Sequence, residues 1–130
     1  MQTHTSGEFD VKMTPQSSGD EMVSRLLIEK HFHGDLDATS RGEMLAAGTD
    51  VKGSAAYVAI EKVTGSLLGK AGTFVLQHTG VMTRGEGKLI VTVVPDSGTG
   101  ELVGLQGNMD IIVAAGKHSY AFDYSIVGND

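Results

Sequence analysis

The sequence predicts an all-β fold, a single closed antiparallel up-and-down β-barrel of about eight strands. Three observations predict it. Several segments alternate apolar and polar residues, and successive residues of a strand point to opposite faces. Glycine occupies 18 of the 130 positions, which suits tight turns better than long helices. The connections are short, so neighbouring strands pair antiparallel, and closure of the sheet removes exposed edges.

The strands are expected where alternation is bounded by turn residues. Pro15 ends the first strand, and residues 14–21 are polar enough to form a loop. The third segment contains helix formers near Met44 but is predicted as a strand, whereas residues 101–105 are spaced like one helical turn. The predicted strands are Glu8–Met13, Val23–His33, Leu36–Ala47, Ala55–Gly65, Gly72–Met82, Lys88–Val94, Gly107–Ala114 and His118–Val127.

Length and composition bound the class of protein. The chain fits one domain over residues 1–130, in which Met1–Ser6 is expected to be a flexible N-terminus. Its ten Lys and Arg residues are scattered and its net charge is −6, which argues against nucleic acid as a partner. The absence of Cys excludes disulfides and thiolate chemistry. Without a signal-like start or an apolar run of about 18 residues, we expect a cytoplasmic protein that does not bind membranes.

Three ionisable residues interrupt the apolar faces of predicted strands. If those faces point inward, Lys30, Glu61 and His78 all enter the barrel lumen. Groups of this kind in a dry cavity shift each other's pKa values and are candidate acids and bases. Alternatively, Lys30 and Glu61 form a self-satisfied ion pair, with His78 hydrogen-bonded to a tyrosine. The predicted catalytic residues are Glu61 and His78, and the predicted ligand contacts are Lys30, Phe32, Tyr57, Phe74, Leu76, Tyr120, Phe122 and Tyr124.

Two other motifs favour structural interpretations. His31 and His33 share a strand face and Asp37 follows, which echoes part of a metal motif, but the second half of that motif is missing. The face they share is less apolar than the opposite one, which predicts a solvated surface and no metal or other cofactor. Residues 97–100 resemble a phosphate-binding loop but lack its Lys and following helix, so a corner over the barrel end is expected.

Several strands are apolar on both faces. Val58 and Ile60 lie opposite Ala59, for example, and the chain offers no long helix to cover the outer face. A second copy of the chain is the simplest cover, so we expect a homo-oligomer, a dimer or a trimer.

Four blocks of sequence resemble one known bacterial family: Lys30–Asp35, Ala56–Gly65, Gly72–Gly80 and Val93–Leu102. The family is the domain of unknown function numbered thirty-two twenty-four, and the resemblance extends over about residues 8–127. It implies a closed antiparallel barrel similar to allene oxide cyclase, a plant isomerase with a buried apolar cavity. It implies no activity, because fold does not carry function.

Three functions are compatible with these observations. The first is binding of a small apolar or amphipathic ligand in the lumen, held by aromatic and aliphatic side chains. The second is an isomerase or cyclase in which Glu61 polarises or deprotonates the substrate. The third is a structural oligomerisation module without a ligand.

Overall fold

Eight antiparallel strands follow one another in chain order, and the first closes against the last to complete a barrel. This computed structural model describes residues 2–128. The predicted all-β class and closed barrel are confirmed. The strands are β1 Thr3–Gln16, β2 Val23–Phe32, β3 Leu36–Gly48, β4 Ala55–Leu67, β5 Lys70–Thr83, β6 Glu86–Val93, β7 Leu105–Ala114 and β8 Lys117–Ile126.

The third strand is continuous through its helix-forming half. Its residues pair with β2 on one side and with β4 along their whole length on the other, from Leu36–Leu67 to Gly48–Ala55. Tertiary pairing therefore overrides local helix propensity here. The strand parity that results places Leu36, Ala38 and Ser40 inside the barrel, buried.

The first strand begins earlier and ends later than predicted. Thr3–Ser6, expected to be flexible, pair with β8, and Thr5 donates a buried hydrogen bond of 2.7 Å to the carbonyl of Phe122. Met1 lies outside the described residues. Pro15 does not end the strand, because β1 is registered against β8 only up to Phe9. Beyond Phe9, the edge of β1 that faces β8 forms no further strand pairs, so the backbone N–H that Pro15 lacks is not needed there.

One end of the barrel, which we call the filled end, is packed with side chains. The β2–β3, β4–β5 and β6–β7 connections lie there. Phe74 and Phe122 stack at 5.9 Å between ring centroids, and the ring of Phe32 meets that of Tyr120 edge-on at 5.7 Å. All four side chains are 0–1% exposed. This end holds the main hydrophobic core.

A short helix covers the filled end. The predicted helical turn over residues 101–105 is in fact a single 3-10 turn over Gly100–Leu102, and Leu105 already begins β7. Leu102 and Leu105 are each 1% exposed. The preceding residues form the expected corner, because Ser97 accepts a hydrogen bond from the Val75 N–H and the Thr99 N–H donates to the Thr73 carbonyl.

The other end, which we call the open end, holds the β1–β2, β3–β4, β5–β6 and β7–β8 connections. Residues 81–90 of β5, β6 and their turn are all exposed there. The wall is also loosest on this side, because β6 is registered against β7 only at Thr92–Asn108. The barrel is thus closed and packed at one end and wide at the other.

Candidate functional site

A buried charged cluster lies between the two ends of the barrel. Its centre is Glu61 on β4, which is 0% exposed. Lys30 on β2 donates to Glu61 Oε1 at 2.9 Å, and His78 Nε2 on β5 lies 2.6 Å from the same oxygen. Ser40 on β3 donates to Oε2 at 2.5 Å. Four neighbouring strands therefore each supply one group, and the structure brings Lys30, Glu61 and His78 together as their parity predicted.

The charge of Glu61 is stabilised by its partners. Burial alone raises the pKa of a carboxyl group, because it disfavours the charged form. The hydrogen bond from His78, the charge of Lys30 and the hydroxyl of Ser40 outweigh this effect and bring the pKa of Glu61 down to about 2. Lys30 also lies 5.0 Å from the ring centroid of Phe9, within cation–π range. The cluster is a satisfied ionic network at neutral pH.

The residue paired with Glu61 on the neighbouring strand is a glycine, which makes room for the buried carboxylate. Gly42 on β3 pairs with Glu61, and a side chain at Gly42 would overlap the α and β carbons of Glu61. Glycine at this position therefore leaves room for the acid inside the wall. Ser40, two residues earlier on the same face of β3, is then within reach of the second carboxylate oxygen.

The outcome combines both interpretations of the sequence. The Lys30–Glu61 ion pair forms as the structural interpretation expected. His78, however, contacts Glu61 instead of Tyr57 or Tyr124. A carboxylate that accepts three hydrogen bonds and has a lowered pKa is a weak base, so the cluster is suited to holding a fixed negative charge and orienting an imidazole.

Most of the predicted ligand contacts lie at the filled end. Phe32, Phe74, Leu76 and Phe122 are 0–1% exposed and belong to one hydrophobic cluster. Tyr124, which is 6% exposed, stacks on Phe122 in the same cluster.

Tyr120 ties the filled end to the β2–β3 turn. Its hydroxyl donates to the carbonyl of His33 at 2.7 Å and accepts from the N–H of Leu36 at 2.9 Å. This hydroxyl is therefore already engaged by the backbone.

A cavity of about 500 Å³ opens at the open end. It was not found from the sequence. Its lining is mainly small or flexible side chains near the ends of five strands, and many of these residues have the parity of the lumen. Among them are Met44, Ala46, Tyr57, Gly80, Met82 and Leu89. The sequence feature that could have predicted the cavity is the set of small lumen-facing residues at these strand ends. They leave space that aromatic rings occupy at the filled end.

Tyr57 is the predicted ligand contact that lines this cavity. Its ring lies across Gly80 on β5, where any β carbon would overlap the ring. Burial raises the pKa of its hydroxyl, and the negative charge of Glu61 raises it further. Tyr57 thus lines the cavity and is also close enough to Glu61 for the charge of that carboxylate to affect its hydroxyl.

The histidine pair on the outer face is exposed. The rings of His31 and His33 lie 4.2 Å apart, and His33 Nε2 lies 2.9 Å from a carboxylate oxygen of Asp10. Asp37 is exposed on β3. Among residues 2–128, no group of three or more His, Asp or Glu side chains is arranged to hold a metal ion. No helix in the same range is long and apolar enough to cross a membrane.

Fold and site together define a class: a closed eight-stranded antiparallel barrel with a buried ionic cluster and an apolar cavity at one end. The chain belongs to the family described as "Protein of unknown function (DUF3224)", which matches residues 5–124. It is 47% identical to a protein of unknown function of this family from Shewanella oneidensis MR-1, whose crystal structure superposes with a TM-score of 0.96. That match covers 99% of this chain and 100% of the other. No curated protein matches. The likeness to allene oxide cyclase stays a prediction.

Proposed function

We propose that the protein binds a small apolar or amphipathic molecule in the cavity at the open end. The observation that carries this proposal is that large apolar side chains facing the lumen are exposed at the open end. On β5, Leu76 is 0% exposed but Met82, on the same face, is 44% exposed. On β6, Val91 is 2% exposed and Leu89 is 39% exposed. A ligand would cover these side chains and regain the hydrophobic free energy that the open end leaves unused.

The size and chemistry of the cavity support this proposal. Ligand pockets commonly have volumes of about 300–1,000 Å³, mostly apolar walls and a few polar groups. This cavity has about 500 Å³, with Met82 and Leu89 among its apolar residues and Ser24, Tyr57 and Lys88 as its polar ones. An amphipathic molecule could place its polar group against the Tyr57 hydroxyl and its apolar part toward Met82.

Binding is better supported than catalysis by Glu61. The carboxylate is fully buried, both of its oxygens are engaged by protein groups, and its lowered pKa makes it a weak base. A substrate in the cavity would meet Tyr57 first. The isomerase or cyclase alternative therefore needs Tyr57, and not Glu61, as the group that touches the substrate.

A fluorescent apolar probe, N-phenyl-1-naphthylamine, tests the proposal. We expect saturable binding by the wild type and at least about tenfold weaker binding by Ala46→Phe, since the added ring occupies the cavity. The matched control is Ile112→Phe, which adds a ring to an outward-facing residue of β7 that is 47% exposed. Thermal unfolding of each variant checks that the barrel is intact.

Two results would count against the proposal. If the wild type fails to bind the probe, the open end is not a site for apolar molecules. If Ala46→Phe and Ile112→Phe bind equally well, the probe occupies another surface. In either case the protein is better described as a structural module. Native mass spectrometry of the purified protein should then show the mass of the chain with no retained molecule.

A further inference from the structure

We propose that the outer face of β3–β6 is the interface of a homodimer in which the strands of the two copies cross at about a right angle. The face is apolar and exposed. Leu45, Val58, Ile60 and Ile90 alternate with lumen-facing residues of their strands, and each is between 48% and 53% exposed. Val81, at the rim of the open end, is 48% exposed and also borders the cavity. Soluble monomers rarely expose large continuous apolar patches, so a patch of this kind marks an interaction surface.

The pairing register shows that these residues form one surface. Three rows of directly opposed residues cross the four strands from β3 to β6. The first row is Glu43, Ile60, Gln77 and Thr92; the second is Leu45, Val58, Thr79 and Ile90; the third is Ala47, Ala56, Val81 and Lys88. We call these twelve residues the outer apolar face. Its two charged members occupy diagonally opposite corners.

The shape of the face favours a crossed arrangement. Neighbouring strands lie about 4.8 Å apart and strand residues rise by about 3.4 Å, so four strands by three alternate residues span about 14 Å in each direction. A square face can be superposed on a second copy of itself by a two-fold axis that runs along a diagonal. Sheets related in this way pack orthogonally, which is one of the two common modes of sheet packing.

The charges select one of the two diagonals. An axis along the Ala47–Thr92 diagonal places Glu43 of one copy against Lys88 of the other, twice in the dimer. It also brings Ile60 against Ile90. Glu43 already accepts a hydrogen bond from Arg25 through Oε1 at 2.6 Å, which leaves Oε2 for the second copy.

A second copy of the chain is therefore the occupant that the face fits. A two-fold interface must be complementary to itself, and the opposed corner charges meet that condition. The interior of the face contains no charged residue, and its charges lie on the rim, as in known interfaces. Because the face is small, we expect a dimer that dissociates on dilution.

Sedimentation velocity over a dilution series tests the interface. We expect the wild type to sediment at the high-concentration end as a species of twice 13.6 kDa. Val58→Lys, at the centre of the face, should be monomeric throughout. The control Ile112→Lys changes a residue of β7 with 47% exposure that lies outside the face, and it should dimerise like the wild type. Circular dichroism confirms that both variants are folded.

Charge exchange tests the crossed geometry. Glu43→Lys and Lys88→Glu should each weaken the dimer by about tenfold, because each places like charges together. The double variant should restore dimerisation to about the wild-type level, since the pairs re-form with reversed signs. A wild type that is monomeric at every concentration, a trimer, or equal behaviour of Val58→Lys and Ile112→Lys would overturn the interface. A double variant no better than the single variants would overturn the crossed geometry.

Discussion

Glu61 is the residue on which the interior of the barrel depends. Its two oxygens accept hydrogen bonds from Lys30 and Ser40 and contact His78, so no part of the carboxylate lacks a partner. A buried charge is tolerated only when it is compensated in this way. The burial of each group in the cluster is therefore tolerated because the others are present. Removal of one group should lower the free energy of unfolding by more than a single hydrogen bond contributes.

Removal of the negative charge should destabilise the protein strongly. In Glu61→Gln, the Lys30 ammonium, whose side chain is 5% exposed, loses its counter-charge. We expect the free energy of unfolding to fall by about 3–5 kcal/mol, measured by urea denaturation. The double variant Lys30→Met/Glu61→Gln removes both charges and should recover much of the loss. Glu8→Gln removes the exposed ion pair with Lys117 and should change stability little. A stable Glu61→Gln protein would contradict this account.

The same network predicts how stability depends on pH. The pKa of Glu61 is about 2 in the folded barrel and near its ordinary value of 4.5 when unfolded. A lowered folded pKa stabilises the protein above the unfolded value, and that contribution disappears as the pH falls from about 4.5 toward 2. The contribution is about 3 kcal/mol. Urea denaturation between neutral and acidic pH should therefore show wild type and Glu61→Gln converging in stability. Parallel curves would contradict the prediction.

At the scale of the elements, a single hydroxyl joins β8 to the turn between β2 and β3. Tyr120 on β8 reaches across the filled end to the turn between β2 and β3, where its hydroxyl contacts His33 and Leu36. Gly7 on β1 makes this possible, since a side chain there would overlap both the His33 carbonyl and the Tyr120 hydroxyl. The β2–β3 turn is thus fixed to β8, across the intervening strand β1.

Loss of this hydroxyl should weaken the filled end. Tyr120→Phe leaves a buried N–H and a carbonyl without their partner, so we expect the free energy of unfolding to fall by about 1–3 kcal/mol. Tyr57→Phe is the matched control. It removes a tyrosine hydroxyl from the open end, where solvent can replace it, and should change stability by less than about 0.5 kcal/mol. Chemical denaturation of both variants measures the difference, and equal effects would show that the turn is not held by Tyr120.

The sequence predicted strand faces well but not positions along the barrel axis. Because side chains alternate with a period of two, the inward placement of Lys30, Glu61 and His78 followed from parity alone. Depth depends on pairing register and strand stagger, which no single segment encodes. Aromatic residues such as Phe74 were therefore predicted to contact a ligand from their inward direction alone, and the structure adds that they lie at the filled end. The cavity around Ala46 was missed for the same reason.

The pairing of the first residues of β1, Thr3–Ser6, was not predicted for a different reason. Thr3–Ser6 carry no apolar alternation, and their pairing comes from the partner strand β8 and from the hydrogen bond of Thr5 to the Phe122 carbonyl. Such long-range contacts join residues more than a hundred positions apart. They exist only once the barrel closes, so local sequence pattern cannot indicate them.

At the scale of the whole molecule, the two ends of the barrel differ in how tightly their side chains pack. The filled end contains the rings, the 3-10 turn and most of the buried aliphatic side chains. The open end has exposed lumen-facing side chains, a cavity of about 500 Å³ and the weakly paired seam between β6 and β7. Buried apolar side chains stabilise the fold mainly at the filled end, and the open end contributes less to the folding free energy.

Two truncations on one face of β5 test this division. Leu76→Ala removes a side chain that is 0% exposed, and we expect a loss of about 2–5 kcal/mol in the free energy of unfolding. Met82→Ala removes a longer side chain with the same parity, but one that is 44% exposed, and should cost less than about 1 kcal/mol. Urea denaturation of the two variants measures both losses. Comparable losses would mean that Met82 is packed as tightly as Leu76, and the open end would then have no room for a ligand.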